Sequence, residues 1–173
     1  MPIKEVNQNM YENAISLYFD WKSLNQGTKD LSRRGVNFPE AVTETITCYV
    51  NGYYLSEGGG SEDAVVPETG ETIQIKASSN FNSDLTSFGP ASKFDYLHFV
   101  RLDQVTDEMY LYDIPITDLK EVKVNATQTF RDQQLQGRRP RFSIINQYIK
   151  RYDIQPYAIV ELKTGIINKT LQV

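Results

Sequence analysis

The tetrapeptide Pro67-Glu68-Thr69-Gly70 stands between two short apolar segments, Asp63-Ala64-Val65-Val66 and Thr72-Ile73-Gln74-Ile75-Lys76-Ala77. Proline presets the backbone angle early in a turn and glycine tolerates positive φ late in one, so these four residues read as a reversal between two strands. Closure of that β-hairpin by Val66 and Glu71 sets Asp63 opposite Gln74, with Cβ atoms about 4.5–5.5 Å apart. Side chains alternate along a strand. Gln74 and Lys76 therefore share one face and Ile73, Ile75 and Ala77 the other, unless a bulge at Gly70 slips the register. A carboxylate, an amide and an ammonium come together on the polar face.

The rest of the chain alternates between helical and extended periodicity. Over residues 4–24, Val6, Met10, Ile15, Leu17, Tyr18, Trp21 and Leu24 recur at mostly helical spacing, which predicts a first helix ending before Gln26-Gly27. Asn37-Phe38-Pro39-Glu40 reads as the start of a second helix, with Asn37 as its cap and proline in its first turn. Its apolar stripe is Val42, Ile46, Tyr49, Val50 and Tyr53, with Glu40, Glu44 and Thr47 away from the stripe, and Gly58-Gly59-Gly60 closes the region. Two further strands are expected over residues 96–102 and 109–114, the second ended by Pro115. A short helix or turn follows at 118–122, then a polar, basic loop over 125–140. Ser143 caps a helix running to about Tyr152, residues 158–163 form a strand, and Ile166 opens an edge strand. The expected fold class is α/β, a mixed central sheet of at least four strands flanked by helices, built as one domain over residues 1–173.

Composition excludes several chemistries. The one cysteine, Cys48, cannot form an internal disulfide and lies far in sequence from the one histidine, His98, so a cysteine-rich zinc site is not expected. Cys48 reads as a small helix hydrophobe and His98, within an apolar strand, as a packed core residue. No stretch approaches the roughly 20 apolar residues of a membrane helix, and the N-terminal residues lack a signal-peptide pattern. A cytoplasmic protein without a membrane partner is expected. The net charge of −4 argues against a polyanionic partner, but its distribution does not. Residues 131–151 carry Arg131, Arg138, Arg139, Arg141, Lys150 and Arg151 against Asp132 alone. Gathering three arginines within residues 138–141 favours an anionic partner.

Oxygen ligands beside a lysine suit phosphodiester hydrolysis, which needs a hard cation, an activated water and relief of charge at phosphorus. Asp63 and the Gln74 amide oxygen are candidate ligands for Mg²⁺, which keeps several waters and takes one or two carboxylates from a protein. Lys76 is placed to orient the water and offset phosphate charge. Glu44 is a further candidate for the metal, its bound water or a second metal; the i, i+4 pair Glu40 and Glu44 disfavours the helix unless a cation intervenes. An ordinary solvated hairpin and a solvated helix glutamate remain the structural alternatives.

Asp63 followed by Gln74-Ile75-Lys76-Ala77-Ser78 resembles the metal and lysine motif of the PD-(D/E)xK nucleases, with Glu44 in the place of their first-helix glutamate. The segments Asn37-Phe38-Pro39-Glu40 through Glu44, and Gly137-Arg138-Arg139-Pro140-Arg141-Phe142-Ser143-Ile144, are similar to parts of small type II restriction endonucleases, in particular those cutting the interrupted palindrome GC-N-GC. The sequence departs from the motif twice: Glu62 rather than proline precedes Asp63, and Gln74 replaces an acidic residue. The resemblance implies a restriction-endonuclease-like core, Glu44, Asp63, Gln74 and Lys76 as the catalytic set, Mg²⁺ as cofactor, double-stranded DNA as substrate, and a homodimer that makes two cuts. DNA contact is expected from Arg131, Gln133, Gln134, Arg138, Arg139, Arg141 and Ser143, since arginine reads guanine O6 and N7 in the major groove. Ser78 and Asn80, just past the strand, are candidates for phosphate contact or turn capping. Two other readings stay open: a repair or recombination nuclease of the same fold, and a DNA-binding module made inactive by Gln74.

Overall fold

The computed structural model describes residues 2–170. Among them eight strands form one mixed sheet: β1 (Ile3–Glu5), β2 (Tyr54–Ser56), β3 (Ala64–Val65), β4 (Thr72–Ser78), β6 (Tyr96–Asp103), β7 (Glu108–Pro115), β9 (Ala158–Glu161) and β10 (Ile166–Lys169), in that spatial order. A separate two-stranded ribbon pairs β5 (Thr86–Ser87) with β8 (Arg141–Phe142). Every neighbouring pair in the large sheet is antiparallel except β4 with β6, which run parallel with Ile75 beside His98 and Lys76 beside Phe99. A parallel pair needs a long crossover, here residues 79–95, and that crossover contains β5.

Alternation along β6 and β7 divides the interior. Val100, Leu102, Met109 and Leu111 face one core together with Ala158, Val160 and the helices α1 (Gln8–Ser32) and α2 (Glu40–Asn51). Leu97, Phe99, Tyr112 and Ile114 face the opposite core. There they meet Leu119 of α3 (Ile116–Glu121), Phe130 of α4 (Phe130–Leu135), and Ile145, Tyr148 and Ile149 of a π-helical segment, Ile145–Lys150. With both faces covered, the central strands read as near-continuous apolar runs.

The first helix is longer than its apolar spacing indicated. Residues 3–5 form β1, the Asn7 side chain accepts the Met10 N–H at the start of α1, and the helix continues through Gly27 to Ser32. A glycine inside a helix costs about 1 kcal/mol relative to alanine, and the packing of Tyr11, Ala14, Tyr18, Trp21 and Asn25 outweighs it. Leu17 and Leu24, assigned to the stripe by spacing, are 53% and 57% exposed. A second anchor is polar. Asp107, buried in the β6–β7 turn, accepts the Tyr18 hydroxyl at 2.6 Å and the Lys22 ammonium at 2.7 Å. Burial pushes its carboxyl up, but these partners and Lys163 hold it below the ordinary carboxylate range.

The second helix starts at Glu40 behind Pro39, without a side-chain cap, so Asn37 does not cap it. It ends at Asn51, where Gly52 takes the left-handed conformation (φ 70°) that closes helices; the glycine run lies beyond β2. Thr47 is fully buried rather than away from the stripe, as is Thr43, whose hydroxyl donates to the Glu40 carbonyl. Residues 125–140 are not all loop. Thr129 accepts the Asp132 N–H and Asp132 accepts the Thr129 N–H, a reciprocal cap that starts α4.

Candidate active site

The hairpin forms with the expected register. Ala64 pairs with Ile73 and Val65 with Thr72, the Val66 N–H donates to the Glu71 carbonyl at 2.9 Å, and Gly70 takes φ 76° without slipping the pairing. Asp63 therefore meets Gln74. Its Oδ2 accepts two hydrogen bonds, from Gln74 Nε2 at 2.9 Å and from the backbone N–H of Ile75 at 2.7 Å. Gln74 is 9% exposed, and its amide nitrogen is engaged by Asp63. Ile73 and Ile75 pack with Cys48 and Ala64, whereas Ala77 is exposed at the strand end. Lys76 lies 5.7 Å from the centre of the Phe88 ring. Among the described residues it forms no ion pair.

Glu44 projects from α2 toward this hairpin. Its carboxyl is pushed up to about 7, chiefly by burial and further by the charges of Asp63 and Glu40, with Lys76 opposing. Asp63 is also raised, by burial first and by Glu40, although Ile75, Gln74 and Lys76 pull the other way. Two carboxylates thus crowd one lysine in a partly desolvated place, the arrangement in which a cation gains most. The same charges reach Cys48, whose thiol burial lifts to about 12. A recess of about 210 Å³ opens here, lined by Phe38, Glu40, Thr43, Lys76, Ala77 and Ser79.

The donor set suits a hard divalent ion. No three His, Cys, Asp or Glu side chains converge as a metal-holding group among the described residues. Asp63, Glu44 and the Gln74 amide oxygen are the oxygen donors nearest to hand, two acidic and one neutral, a set that would suit Mg²⁺ if it kept several waters. A softer metal would lack ligands: Cys48 is fully buried, and His98 is held elsewhere, 2.7 Å from the Tyr157 hydroxyl and pushed down to about 4 by burial.

The remaining predicted contacts divide by what already engages them. Ser78 is 8% exposed, its hydroxyl 2.7 and 2.8 Å from the Asn80 and Ser83 carbonyls, and Asn80 Oδ1 accepts the Asn82 N–H at 3.0 Å. Both shape the loop after β4. Arg131 pairs with Glu121, Gln133 donates to Gln128, and Gln134 Nε2 donates to the Gly89 carbonyl at 3.0 Å. Arg138, Arg139 and Arg141 are exposed and, among the described residues, in no ion pair. Ser143 does cap the π-helical segment, accepting the Asn146 N–H at 3.1 Å.

One residue of this region has no sequence signal. Asp84 accepts the Ser143 hydroxyl at 2.7 Å and the N–H groups of Ile144 and Ile145 at 2.9 and 3.0 Å. It sits between β4 and β5, so it ties the loop leaving β4 to the arm that carries Arg138, Arg139 and Arg141. Its partners lie about 60 positions away, beyond any local pattern. Phe88 beneath Lys76 was equally invisible.

The model of the Bsp6I restriction endonuclease family matches residues 6–151, a span that holds the hairpin, Glu44 and the arginine arm. A type II restriction enzyme, Bsp6I, from Bacillus sp. (strain RFL6) is 47% identical over 167 residues, with 95% of each chain covered. A family match over most of the sequence, joined to that identity and to a mixed α/β fold carrying Asp63, Gln74 and Lys76 on one hairpin, establishes that this chain belongs to the Bsp6I restriction endonuclease family.

Proposed function

We propose that this chain cuts both strands of double-stranded DNA at a short GC-rich palindrome, GC-N-GC, as a Mg²⁺-dependent homodimer with Glu44, Asp63, Gln74 and Lys76 at each catalytic centre. Family membership makes it a type II restriction endonuclease, a site-specific deoxyribonuclease. The observation that carries the assignment of the centre is the Asp63 carboxylate, half-buried beside Gln74 and Lys76 and electrostatically coupled to Glu44 from a different element. Mg²⁺, when bound, supplies Lewis acidity toward the phosphate and a more acidic water. Asp63 and Glu44 would hold it as anionic oxygens, and the Gln74 amide, whose nitrogen donates to Asp63, would offer a neutral oxygen. Lys76 offsets charge that develops on the phosphate and orients the attacking water. The Phe88 ring restricts where its ammonium sits.

Arg138, Arg139 and Arg141 supply base and phosphate contacts, and the Asp84 clamp fixes where that arm stands relative to β4. Each chain presents one hairpin centre, so cutting both strands of a palindrome calls for two chains. Among the described residues no helix is long and apolar enough to cross a membrane, which suits action on intracellular DNA in the cytoplasm. Digestion of a mixed-sequence plasmid across a Mg²⁺ titration tests the reading. Discrete fragments ending at GC-N-GC are expected. Structure-dependent nicking would instead indicate a repair nuclease, and intact DNA that shifts on a gel a binding module. Sedimentation of a monomer both free and on DNA would remove the homodimer.

A further inference from the structure

We propose that Arg33 and Arg34, at the end of α1, form a clamp for the phosphodiester backbone of DNA flanking the cut site. The inference rests on the DNA-cleaving reading above and adds a contact separate from the arginine arm.

The turn that presents these arginines is built on buried polar groups. Arg33 takes the left-handed conformation (φ 63°), its N–H bonded to the Lys29 carbonyl at 3.0 Å. Val36 N–H donates to Asn25 Oδ1 at 2.8 Å, and the Trp21 indole N–H donates to the Val36 carbonyl at 2.8 Å. Asn25 is 6% exposed. A Cβ at Gly35 would stand 2.2 Å from Asn25 Oδ1, so the close approach admits only glycine. Arg33 and Arg34 are both exposed, and neither forms an ion pair among the described residues. Helix C-termini favour cations within the last turn, and Lys29 fills that role for α1. Two further arginines on a rigid turn exceed what the helix requires.

The turn stands beside the catalytic recess by two routes. Four residues after Arg34, Phe38 packs edge-on against Trp21, 4.8 Å between ring centres, and lines the recess that holds Lys76. One turn before Arg33, Lys29 lines a second recess of about 580 Å³ with Asn80, Asn82 and Gln104. Ser79 lines both, so the two recesses adjoin at the loop after β4, a groove of mixed polar and apolar lining between Lys76 and Lys29 with Glu40 and Asp103 as its acidic members. Four residues span at most about 14 Å, roughly four base-pair steps at about 3.4 Å each. A polyanion seated at Lys76 and continuing along this groove brings its next phosphates to the arginine turn.

The test uses the full chain and two synthetic duplexes with Ca²⁺ in place of Mg²⁺ to suppress cutting. One duplex ends just beyond GC-N-GC, and the other is extended by a helical turn on each side. The wild type is expected to bind the longer duplex more tightly. Arg33→Gln with Arg34→Gln should lose that gain, and its log K against log salt slope on the longer duplex should be shallower by about 0.9 per arginine. Affinity for the short duplex should be unchanged, and the Arg33→Lys, Arg34→Lys variant should keep most of the gain. A glutamine variant with wild-type gain and slope overturns the clamp alone, as does a wild type indifferent to flank length. A wild type that binds neither duplex overturns the clamp and the DNA-cleaving reading together.

Discussion

Gln74 Nε2 donates to Asp63 Oδ2 at 2.9 Å, so the glutamine in place of an acidic residue is a hydrogen-bond partner of the aspartate proposed to be catalytic. Glutamate at 74 cannot make that donation when ionised. Two buried acceptors would face one another, a loss of about 1–3 kcal/mol, unless a cation lies between them. Gln74→Glu is therefore expected to melt at lower temperature than wild type without metal and to recover most of the difference in Mg²⁺. Calorimetric titration should show tighter divalent binding. Equal melting temperatures in chelator would mean that the amide contributes nothing at this site.

Asp63 and Lys76 should be indispensable for different reasons. Asp63→Asn keeps an oxygen for the Ile75 N–H and removes the charge, so metal affinity should fall and cleavage disappear while the fold persists. Asp63→Ala also strands the Ile75 N–H and should cost a further 1–3 kcal/mol or so of stability. Lys76→Ala should abolish cleavage while leaving metal binding intact or slightly tighter. Plasmid cleavage and isothermal titration separate these outcomes, and wild-type rates in both Asp63→Asn and Lys76→Ala would move the centre elsewhere.

Glu44 sets a pH window. Its folded-state value is raised from 4.5 to about 7, by burial first and then by Asp63 and Glu40. Between those values the folded state holds a proton that the unfolded chain has released, so stability falls as pH rises from about 4.5 to about 7 and levels off above. Glu44→Gln should flatten that decline in urea unfolding without metal. Protons and metal compete for the same carboxyl, so the wild type's apparent Mg²⁺ affinity should climb through pH about 7, more steeply than that of the variant. Identical pH profiles would show that Glu44 does not meet the metal.

The arginine arm should dominate DNA affinity unequally. Arg138→Ala with Arg139→Ala removes two cations in no ion pair among the described residues and should make the salt slope shallower by about 0.9 for each phosphate left without its arginine. Arg131→Ala should matter less, because Glu121 already engages that side chain. A salt titration of binding decides the order. A larger loss from Arg131 would mean that its ion pair opens on DNA.

The hairpin was legible because its determinants are local: turn chemistry at Pro67 to Gly70, period-2 alternation, and a register that places Asp63 against Gln74. Helix ends were less so. Gly27 carries the signal of a stop, yet the packing of Trp21 and Asn25 draws the helix past it, and Thr47 reads as polar although its site admits a β-branched side chain in the core. The Thr129-Asp132 reciprocal cap was present in the sequence, but only Phe130 of the following helix is buried, too little apolar periodicity to reveal it. Asp84 and Phe88 matter through partners brought near by the crossover between β4 and β6. No window of neighbouring residues contains that information.

The outermost strands of the large sheet, β1 and β10, are three and four residues long and mostly exposed. Brevity at the margin deprives other chains of a template for edge-to-edge pairing. The strand behind β10 is a better template: β9 buries Ala158 and Val160 completely. Removing residues 166–169 would uncover its row of backbone donors and acceptors at a place three strands from β4. The damage would appear as aggregation during expression and purification, while the molecules that stay dispersed would retain the hairpin of Asp63 and Gln74.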